Sequence, residues 1–221
     1  MRTGTLVTAD QAVDLRVVES LVVEMFSAVA DAVRAASAAF LAGDRDVARR
    51  IVAADSHVDE LLTEVDTLAE AGLIGHDELS RDDRRLLIYV LRTAPELERS
   101  ADLIEHVALR TPQPLLAQLP AGVSSLLAEM AEIAATMWRR TADAFVERDA
   151  SVGVTVQKQD ELLDDLHVDL TEAIAASGCS PAVAVEIGLV ARFYERLGDH
   201  AVNVAHRVTS LAPRPAEPSV A

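Results

Sequence analysis

The chain has 221 residues, of which 50% are hydrophobic and 3% aromatic, with one cysteine and a formal net charge of -16 at pH 7. Nucleic acid and anionic lipid surfaces are repelled by so acidic a body, Cys179 has no intramolecular disulfide partner, and no N-terminal run has the make-up of a secretory leader. Glu19, Glu24, Asp31 and Arg34 interrupt the most apolar stretch, so no uncharged run reaches the roughly 20 residues of a membrane span, and a cytoplasmic helical protein is expected.

Residues 1–9 lack periodicity and are expected to be loosely ordered. A first helix is predicted from Asp10 to Ala42, its buried stripe marked by Leu15, Val18, Leu21, Val22, Met25, Val29, Val33 and Phe40. Gly43 stops it and Asp44 is placed to cap the next helix, which runs to Ala71 and is ended by Gly72. Ser80 with Asp83 forms a capping box, with Asp in place of the usual Glu or Gln, and opens a third helix from Arg81 to Arg110. Pro95 lies inside that helix, where a kink or a one-turn break is expected. Pro112 and Pro114 then punctuate the chain.

The second half repeats the first. A shift carrying Asp55 onto Asp160 and Asp59 onto Asp164 also carries Leu21 onto Leu126, Met25 onto Met130, Phe40 onto Phe145 and Asp44 onto Asp149. A slightly shorter shift carries Glu98, Arg99 and Asp102 onto Glu195, Arg196 and Asp199. Agreement at both apolar and polar positions indicates an internal duplication. The second set of helices is predicted at Pro120–Glu147, Asp149–Ser177 and Ser180–Leu211, with Gly178 ending the middle one and Ser180-Pro181 starting the last. The fold class is therefore all-α, two tandem antiparallel three-helix bundles over residues 1–111 and 112–211, lying side by side or end to end, with a disordered tail at 212–221.

Each repeat carries two acidic pairs at i,i+4, which share a helix face. They are Asp55 and Asp59 with Glu98 and Asp102, then Asp160 and Asp164 with Glu195 and Asp199. If the two helices of a repeat oppose these faces, four carboxylates form an oxygen-rich cage suited to magnesium, manganese, calcium or iron. An acidic chain produces many such pairs as solvated surface charge, so the argument rests on the recurrence of both pairs at duplicated positions. His106 and Asn203, one turn beyond Asp102 and Asp199, could each add a ligand or could be polar residues at a bundle edge. His200 and His206 are expected to face solvent, and Arg99 and Arg196 to form structural ion pairs. Asp164 with His167 approximates the acid-x-x-His spacing of a di-iron bundle, but the first repeat has Leu62 at the equivalent of His167. No nucleophile constellation or glycine-rich phosphate loop is present, so no enzyme activity is expected.

The last helix reads Arg192-Phe193-Tyr194-Glu195-Arg196-Leu197-Gly198-Asp199-His200-Ala201-Val202-Asn203. It resembles the R-x-x-E-R-x-G-D-H-x-x-N signature of the PhoU family of phosphate-signalling proteins. Met1-Arg2, the Asp44 turn and the Asp55 and Asp59 pair extend the likeness through the first repeat. There Leu103 replaces the His, His106 replaces the Asn, and Arg92 lies six residues before the Glu instead of three. The resemblance implies a cytoplasmic, homodimeric regulator with a hard divalent or trivalent metal ion (Fe, Mn, Mg, Zn or Ca) at surface E-x-x-x-D and D-x-x-x-D clusters. It implies as partners the phosphate transporter's ATPase and a membrane sensor histidine kinase, whose activities such a protein restrains, with no nucleic acid and no membrane insertion. The alternatives are a ferritin-like metal-dependent enzyme and a metal-free helical scaffold.

Overall fold

The chain order is α1 (Leu15–Ala42), α2 (Arg45–Gly75), α3 (Arg81–Arg110), α4 (Ala121–Glu147), α5 (Val152–Ala176) and α6 (Pro181–Leu211). The computed structural model describes residues 13–75, 79–111 and 119–211. The N-terminal expectations for residues 1–12, the Pro112 and Pro114 punctuation and the tail at 212–221 lie outside the described residues.

Local chemistry sets most helix ends. Asp14 accepts from the Arg16 N–H and caps α1, so this helix starts later than the apolar pattern suggests. Gly43 closes α1 at φ 69°, and Asp44 Oδ1 accepts from the N–H groups of Asp46 and Val47. The Ser80–Asp83 capping box is formed in both directions. Gly72, read as a stop, instead lies buried inside α2, where a Cβ would come within 2.9 Å of Leu87 Cδ1. It is a point of close approach to α3, and α2 runs on to Gly75. Nor does Pro95 break α3, which is helical from Arg81 to Arg110.

The repeats lie side by side. α1 packs on α4 and α3 on α6, whereas α2 and α5 each pack within their own triplet. Phe26, Tyr89 and Phe145 meet at the centre, with Phe145 at 5.4 Å from each of the other two rings. Trp138 donates to the Leu197 carbonyl at 3.2 Å, and the Tyr194 hydroxyl donates to Ser37 Oγ at 2.8 Å, tying α4 to α6 and α1 to α6. Along the α3–α6 seam Arg207 bonds the Arg92 carbonyl and Glu96, Ser100 Oγ lies 3.0 Å from His200 Nδ1, and Arg110 pairs with Glu186 at 3.2 Å. Among the described residues α1 is long and apolar enough to cross a bilayer by length and composition. Here Val18, Val22, Met25, Phe26 and Val29 on that helix are buried in the core.

Candidate metal centres

Antiparallel packing of α2 on α3 and of α5 on α6 brings the duplicated acidic pairs toward each other. In the first repeat the Asp55 carboxyl is pushed up to about 6, first by desolvation and then by the negative charges of Glu105, Asp102 and Asp59, with His106 acting in the opposite direction. Glu98 is also raised, by desolvation and by Asp102, Asp59 and Asp55. In the second repeat Asp160 is pushed up to about 6 by desolvation, then by Asp164, Asp199, Glu195 and Glu161. All eight carboxylates singled out from the sequence thus sit in two groups whose members feel one another's charge. Among the described residues no three acidic, His or Cys side chains converge tightly enough to clasp one ion in the conformation observed.

The two groups differ in enclosure. Asp160 is 8% exposed, while Asp55 is half-buried. Two glycines mark points of close approach between α5 and α6. A Cβ on Gly198 would lie 2.6 Å from both Asp160 Oδ1 and Leu163 Cδ2, and one on Gly153 would lie 2.9 Å from His206 Nδ1 and Thr209 Oγ1. The first repeat has Ala101 and Ala48 at the corresponding positions. Glu195 pairs through one oxygen with Arg192, and its Oε2 is buried without a hydrogen-bond partner. The orphaned Glu195 Oε2 and the buried Asp160 carboxylate are oxygen donors of the kind a hard cation takes.

The remaining candidates separate. His106 is exposed, close enough to Asp55 to affect its ionisation, and its ring stands edge-on to Phe193 at 5.5 Å. Asn203 is exposed on α6. His200 does not face solvent as expected; it is half-buried against Ser100, and burial lowers its pKa. Arg99 forms the expected ion pair, with Glu96 at 3.7 Å, whereas Arg196 forms none among the described residues. Glu105 and Glu161 were not singled out from sequence. Glu105 continues the Glu98 and Asp102 row by a further turn, a visible signal, but its counterpart in the second repeat is Val202. Each acidic group draws its carboxylates from two helices, α2 with α3 or α5 with α6, and not from all four helices of one bundle as a ferritin-like site requires.

Comparison with known proteins gives the same architecture. The PhoU domain model matches residues 22–111 and again 127–208. An uncharacterised protein of Deinococcus radiodurans is 30% identical over 197 residues, 87% of this chain and 86% of that one. The phosphate-specific transport system accessory protein PhoU homolog of Zymomonas mobilis is 29% identical over 202 residues, 88% of this chain and 83% of its own. Among solved structures, PhoU from Pseudomonas aeruginosa superposes with a TM-score of 0.82 at 24% identity, covering 89% of this chain and 96% of that chain. The phosphate transport system regulatory protein PhoU from Streptococcus pneumoniae gives 0.77 at 19% identity, covering 89% and 94%. These two show the fold, and the domain match to both helix triplets shows the ancestry: the chain belongs to the PhoU family.

Proposed function

We propose that the protein is a PhoU-type accessory regulator of phosphate transport, a non-enzymatic adaptor of the cytoplasm that restrains phosphate uptake and phosphate-starvation signalling. The match of the PhoU domain to both repeats carries this reading, and relatives named as accessory proteins of the phosphate-specific transport system support it. The partners in this reading are the transporter's ATPase and the sensor histidine kinase. An acidic body suits basic patches on such partners and speeds encounter with them.

In this reading the two carboxylate groups are metal centres. Asp160, Asp164, Glu195 and Asp199 would hold one ion, and Asp55, Asp59, Glu98 and Asp102 the other, with His106 and Asn203 at the margins. A bound hard cation supplies positive charge that offsets the mutual repulsion of these carboxylates. Asp160 and the orphaned Glu195 Oε2 make the second group the stronger. Gly198 keeps the space between α5 and α6 open to the Asp160 carboxylate.

The reading is tested by binding of the purified, metal-loaded protein to the transporter ATPase and to the kinase's cytoplasmic portion. Saturable binding to at least one is expected. Failure to bind either, with metal present, contradicts it.

A further inference from the structure

The two repeats differ where α1 and α4 face their outer helices. In the first repeat a half-open groove of about 400 Å³ runs between α1 and α2 and is floored by α3. Ala28, Ala32, Ile51 and Ala54 are among its walls. The duplication replaces Ala28 by Ile133 and Ala32 by Met137. Met137 is fully buried, and its Cε would stand 3.6 Å from a Cβ at Gly198, so the second repeat fills with side chain the space that the first leaves open.

We propose that this groove docks a basic amphipathic helix of a partner protein, an interaction surface that adjoins the first acidic group and shares Asp55 with it. Its shape is elongated: Val47 to Val58 of α2 line it over about 16 Å at 1.5 Å rise per residue, a length suited to three turns of helix. Its alanines allow a helix backbone to approach closely. Its rim carries Asp31, Asp55 and Glu105 against the guanidinium of Arg50, and the rim residue His57 is held by Glu24 at 3.0 Å. An apolar floor with an acidic rim complements a helix with one apolar face and basic flanks.

The test uses a synthetic Leu/Lys amphipathic helix as probe and a peptide of the same composition in scrambled order as reference, measured by fluorescence anisotropy. The ordered helix is expected to bind at least about tenfold more tightly than the scrambled one. Ala32→Met, which copies the second repeat's own solution, is expected to weaken binding at least about tenfold while the melting temperature is kept or raised. The double variant Asp31→Lys, Glu105→Lys is expected to weaken it as well, through charge alone. Equal binding of the two peptides, or binding unchanged in both variants, overturns the proposal. So does saturable binding of a fatty acid in place of the helix, or a homodimer that Ala32→Met abolishes, since either assigns the groove to another occupant.

Discussion

Asp160 and Gly198 depend on each other. The carboxylate can enter the α5–α6 interface because residue 198 has no side chain, and a methyl group there would meet Asp160 Oδ1 and Leu163 Cδ2 at 2.6 Å. Gly198→Ala is therefore expected to destabilise the protein by about 1–3 kcal/mol and to weaken metal binding, as read by thermal melts with and without added ion. Unchanged melting would show that α5 and α6 separate without loss. Asp160 also titrates abnormally, near 6 against an ordinary 3.8. An acid whose folded pKa is the higher one holds its proton more tightly in the folded state, so its contribution to stability is greatest below 3.8 and is lost as pH rises to about 6. In metal-free protein the stability difference between Asp160→Asn and wild type should therefore grow in the variant's favour across that window, as measured by urea unfolding at stepped pH. A difference that does not change with pH would contradict the proposed burial. The acidic residues at Asp160, Glu195 and Asp199 were legible in sequence because the repeat displayed them twice. Gly198 was legible as a small residue that keeps the surface of the last helix low, but the side chains that use the space, Asp160 and Leu163, were not, because local sequence does not specify the contacts of the partner helix.

Helix boundaries set by capping chemistry were readable, as at Gly43, Asp44 and the Ser80–Asp83 box, since each is a local hydrogen-bonding problem solved within a few residues. The stop inferred from Gly72 and a one-turn break at Pro95 are absent, because tertiary packing overrides local preference there. Pro95 removes one backbone donor, at a cost of about 3 kcal/mol in an ordinary helix interior. Leu87, Val90, Ala94, Leu97 and Ile104 on both sides of it are fully or almost fully buried, which keeps α3 helical through the proline. Arg207 of α6 also donates to the Arg92 carbonyl, which ties this turn of α3 to α6. Pro95→Ala is expected to stabilise the protein by as much as about 3 kcal/mol, measured as a rise in denaturation midpoint. A fall would mean that the backbone geometry Pro95 imposes is needed for α3 to fit α6.

Sequence displayed two bundles but left open how they meet. The answer lies in side chains that are far apart along the chain: Phe26 with Phe145, Ser37 with Tyr194, and Glu96 with Arg207. One apolar core runs through all six helices, so full-length protein is expected to unfold in a single calorimetric transition with matching calorimetric and van't Hoff enthalpies. Two resolved transitions would show that the triplets are independent. The same arrangement puts the two acidic groups in equivalent but unequal surroundings, the second being more enclosed. The central claim is that these groups are metal centres in a PhoU-family regulator. Its most direct test is elemental analysis of protein purified without chelator and then loaded with iron, manganese, magnesium, zinc or calcium, alongside Asp199→Ala and Glu195→Ala. Retained hard metal that falls in both variants is the predicted result, and no retained metal under any loading condition would contradict it.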